Sequence, residues 1–290
     1  MDFAVCCCCE EIDKTGHEDM SADKADGGVK GAMRTLDLFE AFGREGRALS
    51  LSELAKLLEV PVSSCHQLVG TLEARGYLYT VGRRKEIYPS GKLLGVARAL
   101  VAHDTWLRAA SLHLQRLRDD TRETVILGKR QGHRVIYLAI EEGTEPVRFT
   151  AQAGDRKPLH FSAIGKALLA ALDDLSLREM LRVLAERYPT TLPSAAHEQL
   201  RTELVRSRKR GWYTQRGGSE VDVMAISTGF TVAGDPFAIS VAGPRLRIAR
   251  AEKELVSKLL KTRDTILAML EDRNKLYGWE DERASLATTV

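Results

Sequence analysis

Long apolar runs and aromatic side chains are both scarce in this chain of 290 residues. Aromatic residues make up 6% of it, and no apolar run approaches the roughly 20 residues that a membrane-spanning helix needs. Near the start, Glu10, Glu11 and Asp13 follow a short apolar stretch where a secretory signal peptide would carry its cleavage site. These absences disfavour a membrane protein and a secreted protein, and we expect a soluble protein of the cytoplasm.

Cysteine is confined almost entirely to one run, because four of the five cysteines are consecutive, from Cys6 to Cys9. A zinc site needs ligands in separated pairs, since neighbouring side chains in a run diverge and cannot all face one ion. No second pair follows, and residues 1–29 hold two Lys or Arg against eight Asp or Glu. We predict no metal or other cofactor, and we interpret residues 1–29 as a disordered acidic extension.

Catalytic and nucleotide-binding signatures are also missing. The chain contains no G-x-S-x-G, H-E-x-x-H, G-x-x-x-x-G-K-[ST] or G-x-G-x-x-G sequence. A hydrolytic set could be assembled only if folding brought together His160, Ser162, Lys166 and Ser240. Each of these residue types more often has a structural role when no positioned partner is evident. We therefore predict no catalytic residue and no enzyme.

What the chain does have is a pair of short helical patterns joined by a turn at Val60-Pro61, within residues 49–76. The apolar stripe of the first helix consists of Leu51, Leu54, Ala55 and Leu58, with Ser50 or Ser52 placed to cap it. The stripe of the second helix consists of Cys65, Leu68, Val69 and Leu72. This arrangement is typical of a helix-turn-helix, although an ordinary helical hairpin with a solvated outer face would show it too.

The flanking segments favour a winged helix-turn-helix over residues 30–90. A further helical pattern begins near Met33, and two β-prone runs enclose Gly82-Arg83-Arg84-Lys85, a basic turn suited to phosphate or the minor groove. Such a domain binds double-stranded DNA with its second helix in the major groove. The predicted DNA-contacting residues are Arg34, Ser63, Ser64, His66, Gln67, Thr71, Arg83, Arg84 and Lys85.

The second half of the chain predicts an α+β domain. Residues 91–104 form an expected connector helix, residues 105–276 the second domain, and residues 277–290 a tail. Strands are expected at residues 124–127, 135–140 and 147–151 as an antiparallel meander, and again at 212–215, 221–228 and 237–241. Helices are expected at about 105–122, 162–172, 177–186, 195–210 and 247–276. Strands of one sheet are thus interrupted by a helical insertion.

Several motifs, in order along the chain, carry a resemblance to a known family. They are Met33-Arg34-Thr35-Leu36-Asp37-Leu38-Phe39, Leu51-Ser52-Glu53-Leu54-Ala55, Pro61-Val62-Ser63-Ser64-Cys65-His66-Gln67-Leu68, Glu123-Thr124-Val125, Lys157-Pro158-Leu159-His160, Ala163-Ile164-Gly165-Lys166-Ala167-Leu168-Leu169-Ala170 and Ser240-Val241-Ala242-Gly243-Pro244. Over residues 31–249 the chain resembles the IclR family of transcriptional regulators. It departs from the family pattern at Val62 and Gln67, where a Lys and an Arg are common, and at Gln215-Arg216-Gly217-Gly218, usually an acidic segment.

The resemblance implies a GAF-like second domain whose cavity binds a small effector, and a dimer or dimer of dimers that binds a palindromic operator and controls a catabolic operon. It places Ala163, Ile164, Gln215, Arg216, Met224, Ala225 and Ser240 around the cavity, with Leu138 and Phe149 as further neighbours. Arg216 would favour a carboxylic or aromatic acid, unless its side chain points to water, and Ile164 and Met224 would form an apolar wall. The alternative is a DNA-binding architectural or partner-interaction protein whose second domain is filled by its own side chains.

Overall fold

The computed structural model describes residues 29–103, 105–217, 221–232 and 234–277. The chain divides into two compact units, Met1–Thr105 and Trp106–Val290. The expected acidic extension, except for Val29, and the expected tail, except for Tyr277, lie outside the described residues. No helix of the described part is long and apolar enough to cross a membrane.

The first unit is a winged helix-turn-helix followed by one more helix. Its elements are α1 (Lys30–Glu45), α2 (Leu51–Leu57), α3 (Val62–Ala74), β1 (Leu78–Val81), β2 (Glu86–Pro89) and α4 (Lys92–His103). Ser50 begins α2 through a capping box, since its side chain accepts from the Glu53 amide while the Glu53 carboxylate accepts from the Ser50 amide. The winged-helix prediction is confirmed.

The core of the first unit follows the predicted stripes. Cys65, Val69 and Leu72 of α3 are buried against Leu54 of α2 and Ile87 of β2. The wing is an antiparallel hairpin, and its turn begins at Gly82, whose φ of 68° is a conformation that glycine adopts without the steric cost other residues incur. α4 corresponds to the expected connector helix, and residue 104 lies outside the described part.

The second unit is an antiparallel six-stranded sheet with helices on both faces. Its strands are β3 (Thr124–Gln131), β4 (Arg134–Glu141), β5 (Arg156–Pro158), β6 (Tyr213–Arg216), β7 (Val223–Val232) and β8 (Asp235–Pro244), in the order β5-β4-β3-β8-β7-β6. Its helices are α5 (Thr105–Thr121), α6 (Ala163–Ala170), α7 (Asp174–Arg187), α8 (Ser194–Arg210), α9 (Arg245–Arg250) and α10 (Glu252–Tyr277). The α+β prediction is confirmed.

The two faces of this sheet have separate cores. On the α6 face, Ile164 and Leu168 pack with Ile126 of β3 and with residues of α7 and α8. On the α10 face, Leu114 of α5 and Leu259 of α10 pack with alternate residues of the same strands. Because successive side chains of a strand point to opposite faces, each strand supplies both cores.

Two predicted elements differ from the structure. The strand expected at residues 147–151 is wrong, because the carbonyl of Val147 accepts from Arg247 and that of Phe149 accepts from the Thr124 hydroxyl, so side chains replace strand pairing. The third strand of the meander is instead β5. The single helix expected at residues 247–276 is interrupted at Ala251, between α9 and α10.

Candidate DNA interface and ligand-binding face

The outward face of α3 is polar and open. Ser63, His66, Gln67 and Thr71 are exposed and Ser64 is half-buried, on the side opposite the buried stripe of the same helix. The Thr71 hydroxyl donates to the Gln67 carbonyl at 2.9 Å, whereas the Gln67 side chain makes no hydrogen bond within residues 29–103. A helix of this kind can present its free polar groups to base edges in the major groove.

The wing places its cations at the tip of the hairpin. Arg83, Arg84 and Lys85 are exposed, and none forms an ion pair within residues 29–103. β1 is fastened to α3 by the Thr80 hydroxyl, which donates to Glu73 at 2.7 Å. The predicted contact Arg34 lies elsewhere, half-buried on α1. The first unit therefore exposes polar side chains on α3 and cations at the wing tip.

On the α6 face of the sheet, the strand register aligns side chains in three rows. The first row contains Thr124, Ala242, Ala225 and Gln215. The second row contains Ile126, Ser240, Ser227 and Tyr213. The third row contains Gly128, Ala238 and Gly229. α6 lies directly on the third row, since a Cβ at Gly128 would come within 2.9 Å of Ile164 and one at Gly229 within 3.2 Å of the Ala167 carbonyl.

The first two rows carry small side chains and several hydrogen-bonding groups. Thr124 accepts from the Gly143 amide at 3.0 Å, and the Ser240 hydroxyl donates to the Ile226 carbonyl at 3.2 Å. The hydroxyl of Ser227 is buried and has no hydrogen-bond partner among the described residues. Buried hydroxyls are normally paired, so this face holds an unused polar group.

The structure brings most of the expected effector residues to this α6 face. Ala163 and Ile164 begin α6, while Gln215, Ala225 and Ser240 belong to the first two rows. Phe149 packs against the same core, whereas Leu138 packs on the α10 face. Gln215 donates from its side-chain amide to the Gly217 carbonyl at 2.6 Å.

Met224 and Arg216 lie on the opposite face. They are cross-strand partners, and Met224 is buried in the α10-face core. Arg216 donates to Glu252 of α10 at 2.9 Å, with 57% of its side chain exposed. The expected wall of Ile164 and Met224 is therefore wrong, because the sheet separates them. Arg216 is bound by a carboxylate of its own chain on the α10 face.

Sequence reasoning missed Ser227 and Thr124, although strand alternation contains the signal. A residue two positions from Ala225 on the same strand must share its face, which selects Ser227 and excludes Met224. Thr124 follows in the same way from Ile126. Once the strands are predicted, the face of each residue follows, because odd-numbered and even-numbered positions of a strand point to opposite sides of the sheet.

The residues of the conceivable hydrolytic set each have a structural partner. The Ser162 side chain caps α6 by accepting from the Gly165 amide, and Lys166 donates from Nζ to both carboxylate oxygens of Glu203 and to the Thr214 carbonyl. His160 Nε2 lies 3.0 Å from the Thr191 hydroxyl, and burial lowers the pKa of His160 to about 4. Within the described ranges, no cluster of His, Cys, Asp or Glu could hold a metal ion.

A second buried ion pair anchors the first row of the sheet. Glu123, which is buried, accepts from Nε and Nη2 of Arg247 on α9, and Arg247 also donates to the Val147 carbonyl. This hydrogen bonding raises the pKa of Arg247. The pair joins the start of β3, the β4–β5 loop and α9.

Comparisons with known proteins agree with this geometry. Residues 31–82 match the model of the IclR helix-turn-helix domain, and residues 97–268 match that of the bacterial transcriptional regulator IclR C-terminal domain. The HTH-type transcriptional regulator BhcR of Paracoccus denitrificans is 30% identical over 233 residues, covering 80% of this chain and 83% of that protein.

Two crystal structures share the fold at lower identity. The IclR protein of Thermotoga maritima superposes with a TM-score of 0.69 at 21% identity, covering 82% of this chain and 98% of that chain. An IclR homologue from Microbacterium hydrocarbonoxydans, crystallised with 4-hydroxybenzoate, gives a TM-score of 0.66 at 21% identity, covering 83% and 99%.

Proposed function

We propose that this chain, which belongs to the IclR family of bacterial transcriptional regulators, binds a palindromic operator in the cytoplasm. It binds the operator as a homodimer or a dimer of dimers, and its second unit takes up a small organic acid. The family consists of DNA-binding regulators and not enzymes. The observation that carries the DNA-binding proposal is the exposed polar face of α3 beside the cationic wing. Gln67 reads a base edge, and Arg83, Arg84 and Lys85 contact phosphate or the minor groove.

The homodimer is supported by apolar side chains that the first unit leaves exposed. Leu94 and Leu100 of α4 are 53% and 68% exposed, and Leu36 of α1 is 64% exposed. Exposed apolar residues concentrated on two helices mark an interaction surface. A second copy of the chain is the occupant we propose, because two identical modules related by a twofold axis match the two halves of a palindrome.

Leu94→Glu should prevent this dimer from forming, because it places a charge in the proposed apolar contact. Sedimentation equilibrium of the full chain should then show a monomer where the unsubstituted chain is a dimer. Ala99→Glu, at another exposed position of α4, adds the same charge on a different side of the helix from Leu94 and serves as the control. A Leu94→Glu chain that stays dimeric would remove α4 from the interface.

The effector proposal places a small organic acid over the first two rows of the α6 face. With Arg216 on the other face, the carboxylate must be held by neutral donors, because Lys166 already donates to Glu203 and Thr214. The donors that remain free in the described part of this face are the Ser227 hydroxyl and the backbone amides of Ala163 and Ile164 in the first turn of α6. The Ser240 hydroxyl and the Gly165 amide are already used by the Ile226 carbonyl and the Ser162 side chain. Several such donors together can offset the cost of burying a carboxylate.

Ala225→Leu should remove acid binding, because the larger side chain occupies the first row. The measurement is the thermal shift and calorimetry of the full chain against a panel of small organic acids that includes 4-hydroxybenzoate, the acid found in the Microbacterium homologue. An acid present at about 100 times its Kd should raise the free energy of unfolding by about 2.7 kcal/mol. Arg216→Ala should bind that acid with unchanged affinity.

Two results would contradict the effector proposal. Loss of binding in Arg216→Ala with retention in Ala225→Leu would move the acid off the α6 face. Failure of every acid in the panel to stabilise the chain would favour a DNA-binding architectural or partner-interaction protein. Neither outcome would contradict the DNA-binding proposal, which depends on α3 and the wing.

A further inference from the structure

A groove with a volume of about 710 Å³, lined by polar and charged residues, runs between α8 and the edge strand β6. Its lining residues are Glu198, Gln199, Thr202, Glu203, Arg206, Ser207, Arg210, Thr214 and Arg216. None of the residues that form the three rows of the α6 face belongs to it. Its volume lies within the range of small-molecule sites, roughly 300–1,000 Å³.

The acidic groups of the groove are paired with cations, whereas one of its arginines is not paired with a carboxylate within the described part of the chain. Both acidic groups have cationic partners, since Glu203 accepts from Lys166 and Glu198 accepts from Arg201 at 3.1 Å. Arg206, by contrast, is exposed and forms no ion pair with any residue that the structure describes. The groove therefore presents a guanidinium group that no carboxylate of the described residues neutralises.

A second guanidinium is held beside the first. Arg210 follows Arg206 by four positions on α8, so the two side chains emerge from the same side of the helix, with Cβ atoms roughly 5–6 Å apart. Arg210 is fixed over the Trp212 ring, 3.9 Å from its centroid, and donates from Nε to the Trp212 carbonyl at 2.7 Å. That donation uses only Nε, which leaves the terminal amino groups of Arg210 free for a ligand.

Ser207 provides an independent sign of a ligand. It lies between the two arginines in sequence, lines the groove and is 1% exposed, and its hydroxyl has no partner among the described residues. A buried hydroxyl without a partner is destabilising, because it has lost its hydrogen bonds to water without replacing them. Because Ser207 lines the groove, its hydroxyl is available to donate to a group bound there.

We propose that the groove is a second small-molecule site, separate from the α6 face. It binds an oxyanion, either a carboxylate or a phosphate, between Arg206 and Arg210, and the Ser207 hydroxyl is a further donor. Guanidinium groups bind both oxyanions through paired charge-assisted hydrogen bonds. Through Glu203, which also holds Lys166 of α6, the groove is linked to the helix that covers the sheet.

The test uses Trp212 as a local reporter in the full chain. Trp106→Phe and Trp279→Phe leave Trp212 as the single tryptophan. Succinate, inorganic phosphate and the neutral polyol erythritol are titrated at constant ionic strength. An oxyanion that draws Arg210 towards itself should change the Trp212 emission saturably, whereas erythritol should not. The responding anion identifies the chemical source, and calorimetry on the chain with all three tryptophans repeats the measurement.

Substitutions then locate the anion. Arg206→Ala should weaken binding by about tenfold or more, since a charge-assisted hydrogen bond is lost, and Ser207→Ala should weaken it a few-fold. Lys209→Ala is the matched control, because Lys209 is an exposed cation of the same helix that does not line the groove. Ala225→Leu, which fills the α6 face, should leave binding unchanged.

Three results would overturn the proposal. The first is that neither anion gives a saturable response. The second is that Arg206→Ala and Lys209→Ala weaken binding equally, which would indicate general attraction to a basic helix. The third is loss of the response in Ala225→Leu, which would place the anion on the α6 face. Failure of the acid panel on the α6 face would leave the groove proposal standing.

Discussion

The two units of the chain use their polar side chains in opposite ways. On α3, Gln67 and His66 point outward and make no side-chain hydrogen bond within residues 29–103. In the second unit, Glu123, His160 and Lys166 are buried and each has a partner in its own chain. Free polar groups are available for a partner molecule, whereas paired ones hold elements together. Substitutions on α3 should therefore change DNA binding, and substitutions of these paired groups in the second unit should change stability.

The largest effect is expected from Arg247→Ala, which leaves the Glu123 carboxyl 97% buried and without its ion-pair partner. Removing one partner of a buried pair typically destabilises by about 3–5 kcal/mol, and the 38% exposure of Arg247 indicates the lower end. All three tryptophans lie at or after position 106, so denaturation followed by tryptophan fluorescence reports on the second unit. The free energy of unfolding should fall by about 3 kcal/mol.

Arg250→Ala is the matched control, because Arg250 is an exposed cation of the same helix without an ion pair among the described residues. It should change the free energy of unfolding by less than about 0.5 kcal/mol. Equal destabilisation by Arg247→Ala and Arg250→Ala would show that the Glu123 pair does not hold α9 to the sheet.

The next effect concerns pH and compares a buried with an exposed histidine. Burial lowers the pKa of His160 from 6.5 to about 4. The unfolded chain therefore binds a proton between these values that the folded chain does not, so stability is complete above pH 6.5 and falls as the pH drops towards 4. The loss from this group amounts to about 3 kcal/mol.

His160→Gln should flatten that part of the pH dependence, measured by the same fluorescence-detected denaturation. His66→Asn, on the exposed face of α3, should leave the dependence as it is in the unsubstituted chain when denaturation is followed by far-UV circular dichroism, which also reports on the helices of the first unit. A His160→Gln chain with an unchanged pH profile would show that another group is responsible for the acid sensitivity.

The same contrast explains what the sequence could predict. The α3 stripe of Cys65, Val69 and Leu72 follows from helical spacing alone, and the structure confirms it. In a strand, odd-numbered and even-numbered positions face opposite sides of the sheet, so Met224 and Ala225 lie on different faces. Motif matching did not take this alternation into account. Local contacts along the helix are encoded by neighbouring positions, so the first unit was the more predictable one.

Long-range contacts were beyond sequence reasoning for a different reason. Arg216 pairs with Glu252, and Lys166 with Glu203, across 36 and 37 positions of the chain. Charge pattern alone does not select one carboxylate among many. The break between α9 and α10 at Ala251 was missed as well, because apolar spacing continues through it.

The most direct test of the central claim, that α3 reads DNA through its outward face, is a base-substitution binding series with Gln67→Ala. Loss of a bidentate contact should relax base preference at one position of each half-site by roughly 1–3 kcal/mol. Unfolding followed by far-UV circular dichroism, which also reports on the helices of the first unit, should stay unchanged. Arg84→Ala should instead weaken binding to all sequences alike and reduce the salt slope by about one charge. Unchanged base preference in Gln67→Ala would contradict the assignment of Gln67 as a reader.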